Sequence, residues 1–174
     1  MNNQFTRRTL GALGAGMASL ALTGPARAAV LALPVEKKIL TISGKITSTN
    51  DGDTAVFDRP MLEALGNDGF ETLTPWYSGE VKFEGIRMDT LMRHVGATGN
   101  SVLATALNDF STEIPVSDFS RFNVLLALKR DGNYMSVRDK GPLFIVYPYD
   151  SSPELKAQKF YSRSAWQVAK LLVR

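Results

Sequence analysis

Four short segments set aromatic rings beside hydrogen-bonding side chains: Trp76-Tyr77, Asn108-Asp109-Phe110, Tyr147-Pro148-Tyr149-Asp150, and Phe160 through Trp166, which includes Arg163. Residues of these types suit a planar, hydrogen-bonding heterocycle. Rings stack on its faces, and a carboxylate or amide reads its edge. The plainer alternative is that the Trp and Tyr rings fill the core with their polar tips at the surface. Composition by itself favours that alternative.

Other chemistries lack their residues. His94 is the only histidine and there is no cysteine. Zinc, copper and haem sites cannot be assembled from that set, and neither can disulfides or a cysteine nucleophile. His94 falls in the last turn of an expected helix, where a cation suits the dipole. No nucleophile elbow, dinucleotide fingerprint or Walker loop is present. Asn50-Asp51-Gly52-Asp53 invites a calcium reading, but Thr54-Ala55-Val56-Phe57 follows and reads as a strand. A hairpin turn is the better fit. Asp109, Asp118 and Asp150 lie near aromatic residues without forming a pair in sequence, and each reads as a cap or turn residue.

The elements that must position these segments are short. Residues 29–38 read as an extended leader. Strands are expected at 39–44, 45–48, 54–57, 72–76, 80–83, 102–107, 111–114, 123–129, 134–137, 143–147 and 166–173. Asp58 as N-cap and Pro60 in the first turn predict a helix over 59–65, and Leu91, Met92 and Val95 predict another over 88–95. Asp131-Gly132 marks a hairpin. The stretch 150–162 reads as a long irregular loop. The class is α+β, mainly β, with mixed sheets and a few short helices in one domain over 39–174.

Residues 1–28 read as a removable signal peptide. Arg7 and Arg8 precede an uncharged run from Thr9 to Leu22, and Ala26-Arg27-Ala28 supplies a small-x-small cleavage site. Thr6-Arg7-Arg8-Thr9-Leu10 also matches part of the twin-arginine pattern. The expected location is periplasmic. Three of the 20 Lys and Arg residues lie in this segment, at positions 7, 8 and 27, leaving 17 to balance 17 Asp and Glu. The basicity belongs to the export signal, so no nucleic-acid partner is expected.

In order along the chain, Trp76, Phe83-Glu84-Gly85-Ile86, Leu91-Met92, Ala106-Leu107-Asn108-Asp109-Phe110, Ile114-Pro115, Asp131-Gly132, Gly141-Pro142-Leu143, Tyr147-Pro148 and Arg163-Ser164-Ala165-Trp166-Gln167 resemble a known domain. It is the molybdopterin-binding domain of sulfite oxidase-type oxidoreductases, in a small stand-alone exported form. The resemblance runs from about Leu40 to Val173 and implies that fold. Catalytic members hold molybdenum through the pterin dithiolene and one protein cysteine, which this chain lacks. They also grip the cofactor phosphate with basic residues, and no comparable basic cluster stands out here. The resemblance therefore implies a non-catalytic periplasmic module that binds a pterin-type molecule without metal. Small exported relatives suggest a membrane-bound partner with a periplasmic sensor domain, such as a cyclic-di-GMP enzyme. Carried over residue by residue, Trp76, Phe110 and Tyr149 would form walls or stacking faces. Asn108 and Asp109 would read the pterin edge, and Arg163 and Trp166 would border the pocket. Tyr147 is divided between core and pocket. The alternatives are a molybdopterin-dependent oxidoreductase, whose metal would lack a protein thiolate, and an accessory subunit.

Overall fold

The computed structural model describes residues 31–174, so the signal-peptide reading of 1–28 lies outside the described residues. Strands of alternating burial and strands buried on both faces build two sheets. The first has the order β2-β1-β11-β5-β6. Its strands are β1 (Leu40–Gly44), β2 (Ala55–Phe57), β5 (Ser101–Ala106), β6 (Ser111–Pro115) and β11 (Val168–Val173). The second has the order β10-β9-β7-β4-β3, with β8 (Asn133–Tyr134) attached to β7. It comprises β3 (Asp68–Leu73), β4 (Glu80–Arg87), β7 (Leu125–Arg130), β9 (Phe144–Val146) and β10 (Ala165–Trp166). Among the described residues only β1 and β11 pair in parallel; the remaining ladders are antiparallel. Among the described residues four short α-helices join them: α1 (Arg59–Glu63), α2 (Met88–His94), α3 (Val116–Arg121) and α4 (Gln158–Arg163). The expected mainly β, α+β class holds.

One buried cluster joins both sheets, from Leu40 and Ile42 of β1 through Phe83 and Ile86 of β4 to Phe144, Leu171 and Val173. β10 and β11 are nearly one strand, as the sequence predicts. They part at Gln167, whose φ of 53° turns the chain from one sheet into the other. The Gln167 N–H donates to the Lys140 carbonyl (3.0 Å), and its own carbonyl accepts from the Leu107 N–H (2.9 Å). Side-chain Nε2 donates to the Val137 carbonyl (2.7 Å). This corner ties the β5–β6 turn to the segment before β9.

Several elements depart from the sequence reading. Segment 45–48 is not a strand. Its Thr47 and Ser48 N–H groups instead donate to the Val95 carbonyl at the end of α2 (3.0 and 3.1 Å), meeting an acceptor that the helix leaves open. β3 ends at Leu73, two residues before Pro75, which has no N–H to offer a ladder. Stretch 150–162 is not irregular. It folds into 3₁₀ turns at Tyr149–Ser151 and Pro153–Lys156 and then into α4. Helix α3 was not foreseen, because it lacks a side-chain cap and is only six residues long.

The leader is pinned by Asp58. One carboxylate oxygen accepts from the Val35 and Glu36 N–H groups (2.7 and 2.8 Å), and the other from the Met61 N–H of α1 (2.9 Å). Burial opposes the charged form, but these backbone donors outweigh it and hold the carboxyl below its ordinary range. A folded pKa below the unfolded one contributes stability that is complete above about pH 4 and lost as pH falls through the folded value. Asp58→Asn is expected to cost about 1–3 kcal/mol at neutral pH, since an amide nitrogen replaces one of the two oxygens that accept three backbone N–H groups. Thermal melts between pH 6 and 3 are expected to show a shallower loss of stability in the variant than in the wild type.

Candidate functional site

Residues from all four aromatic segments come together. Trp76, on the β3–β4 loop, lies 5.5 Å from Trp166 of β10 and 6.2 Å from Tyr161 of α4, ring centre to ring centre. It also meets Phe144 (5.5 Å) and Tyr149 (6.1 Å) edge-on. The three partly exposed rings Trp76, Tyr161 and Trp166 join Phe110 around a cavity of about 410 Å³. That volume is in the range of small-molecule sites. Pro75, Gln158, Ser162 and Ser164 complete the lining.

The frame around the cavity is firmly held. Asp150 accepts from the Leu73 N–H (2.6 Å) and the Thr72 hydroxyl (3.1 Å), locking the end of β3 beneath the Trp76 loop. Lys156 pairs with Asp150 at 2.8 Å, and with the Leu73 N–H it keeps this carboxyl below its ordinary range. On the opposite side the Thr112 hydroxyl of β6 donates to the Ser162 carbonyl of α4 (2.8 Å). Phe110 is set by the β5–β6 turn, where the Asp109 N–H donates to the Ala106 carbonyl (3.1 Å) and Asp109 has a φ of 63°.

The eight residues expected from the sequence divide into four groups. Trp76, Phe110 and Trp166 line the cavity. Tyr147 and Tyr149 are fully buried behind it. The Tyr149 hydroxyl bonds Ser164, whose own hydroxyl donates to the Phe160 carbonyl (3.1 Å). The Tyr147 hydroxyl donates to Asp118 (2.8 Å). Burial pushes both phenols well above the ordinary tyrosine range. Arg163 does not face the cavity; it pairs with the same Asp118 oxygen at 2.7 Å. Asn108 and Asp109 are exposed at the tip of the turn, outside the lining, and Asn108 accepts from the Phe110 N–H (3.3 Å). A turn tip faces solvent because its backbone needs water for the groups that the ladder leaves unpaired.

Sequence reasoning placed Tyr161 in an aromatic segment without assigning it a site role, and it missed Gln158 and Lys140. Tyr161 and Gln158 belong to α4, inside the stretch read as loop. The Lys140 ammonium stands 5.1 Å from the centre of the Trp166 ring and 5.3 Å from that of Tyr77. Arg130 lies over the other part of this cluster, 4.5 Å from the centre of the Tyr77 ring, and pairs with Asp139 at 2.7 Å. Among the described residues the buried Tyr77 hydroxyl meets no partner at hydrogen-bond geometry. Burial raises its pKa. Lys140 itself has a φ of 65° and precedes the cis Gly141–Pro142 bond. The Gly-Pro pair was the one visible signal of an unusual turn there.

A model of the oxidoreductase molybdopterin binding domain matches residues 61–150, just over half of the 174-residue chain. The chain belongs to this family. No curated protein matches it. The matched stretch carries Trp76, Phe110, Lys140 and Tyr149, while α4 and β10 lie beyond it. Of the family's cofactor, the ring system would meet suitable residues: aromatic walls with amide and hydroxyl groups beside them. The metal does not meet a thiolate, since no cysteine occurs at any position.

Proposed function

We propose that this molybdopterin-binding-family domain is a periplasmic, non-catalytic binding module for a reduced pterin, and that it reports ligand occupancy to a membrane-bound partner with a periplasmic sensor domain. The observation that carries the reading is the cavity of about 410 Å³ walled by Trp76, Phe110, Tyr161 and Trp166 in a chain without cysteine. Indole and phenol faces favour a flat heterocycle through stacking. Gln158 offers both a donor and an acceptor to its edge. Family membership favours the rival reading, a molybdopterin oxidoreductase, and the missing thiolate weighs against it. The export signal read at residues 1–28 supports the periplasmic location, and a cyclic-di-GMP enzyme is one partner that the resemblance suggests.

Calorimetric titration of purified protein with tetrahydropterin is expected to give one saturable site. No heat of binding at millimolar ligand would defeat the proposal. Stoichiometric molybdenum in protein purified from its native periplasm would move the assignment to the oxidoreductase.

A further inference from the structure

A second concavity lies on the other side of the β5–β6 turn, with a chemistry unlike that of the aromatic cavity. It measures about 460 Å³ and is formed where β1 and β11 meet the segment 135–142. Its floor is apolar, made by Ile39, Leu40, Met135 and Pro142. Leu107 and Val137 at its margin are 54% and 50% exposed, so apolar surface is left open to water there. Its charged lining is entirely cationic: Lys37, Lys38, Arg59 and Lys170, with no Asp or Glu. Lys38 pairs with Asp51 at 3.0 Å, and Arg59 lies 4.3 Å from the centre of the Tyr134 ring. Among the described residues Lys37 and Lys170 have no ion-pair partner.

In a protein whose acids and bases balance outside its first 28 residues, four cations around an apolar floor select both charge and chain. We propose that this groove binds a small amphiphilic anion, an alkyl or aryl chain ending in a carboxylate or phosphate. The chain lies on Ile39, Met135 and Val137, and the head group meets Lys170, Arg59 and Lys37. An enclosure of this volume suits a single small molecule and not a bilayer surface, which needs a flat or convex face. The site is separate from the pterin reading. The two cavities share no lining residue, although Leu107 borders one and Phe110 the other across the same turn.

The test is calorimetric titration with decanoate, with decanol as the uncharged chain and phosphatidylglycerol vesicles as the bilayer. Decanoate is expected to bind one to one and decanol at least tenfold more weakly. Lys170→Glu is expected to weaken decanoate about fivefold to tenfold, the effect of reversing one exposed charge. Arg59→Glu supplies the same check at a second position. Saturating tetrahydropterin is expected to leave decanoate binding in place, which separates this site from the aromatic one whether or not the pterin binds. The inference is overturned if decanol binds as well as decanoate, if both charge reversals leave decanoate affinity unchanged, or if pterin displaces decanoate. Sedimentation with the vesicles without binding of free decanoate also overturns it.

Discussion

Replacing Trp76 with alanine is expected to weaken tetrahydropterin binding by roughly tenfold to hundredfold. One stacking face is worth about 1–3 kcal/mol, and each 1.4 kcal/mol is a factor of ten. Trp76 also touches Phe144, Tyr149, Tyr161 and Trp166, so its loss lets the wall relax as well as removing a face. The variant is expected to melt earlier, and affinity alone would then be ambiguous. Phe110→Ala resolves this, because Phe110 lines the same cavity while remaining 51% exposed. It is expected to weaken binding severalfold with little change in Tm. Calorimetry and thermal melts on both variants make the check. Wild-type affinity in both would remove the cavity from the pterin reading.

The second large effect concerns stability. Asp118→Ala is expected to destabilise the protein by about 3 kcal/mol, in the range for breaking a buried ion pair. Asp118 is almost fully buried, and one of its oxygens receives both the Tyr147 hydroxyl at 2.8 Å and Arg163 at 2.7 Å. Truncation strands a buried phenol and a largely buried guanidinium together. For a chain of this size Tm is expected to fall by roughly 6–12 °C. Removing a stranded partner should restore part of the loss. The double variant Asp118→Ala with Tyr147→Phe is therefore expected to cost less than the sum of the single changes. Denaturant melts of the cycle measure the coupling, and strict additivity would show that the triad does not act as a unit.

The strands and the Asp58-capped helix were legible because their signals are local: alternation, an N-cap, a proline in the first turn. Trp76, Phe110 and Trp166 were singled out through the family resemblance, and the structure places all three around one cavity. Their meeting point depends on Gln167, which moves the chain between sheets, and a single glutamine carries no such signal. Arg163 and Tyr147 have the right types for a binding site but serve one buried carboxylate, and a sequence does not say which carboxylate an arginine finds. Asn108 and Asp109 were read for their chemistry, whereas a positive φ at Asp109 gives that pair to the turn. Lys140 was invisible because its role depends on two rings distant in sequence.

The parallel pairing of β1 with β11 also bears on how the domain is assembled. Thr41 to Gly44 lie opposite Lys170 to Val173, and β11 in turn separates β1 from β5 in the first sheet. The middle of that sheet cannot form until the last strand arrives. Every partial chain ending before Val168 exposes the flanks of β1 and β5, although the second sheet already has all its strands at Trp166. Contacts of such long sequence separation make folding slow and strongly all-or-none. The same pairing makes β11 the segment whose loss dismantles the first sheet at its centre and not at its edge.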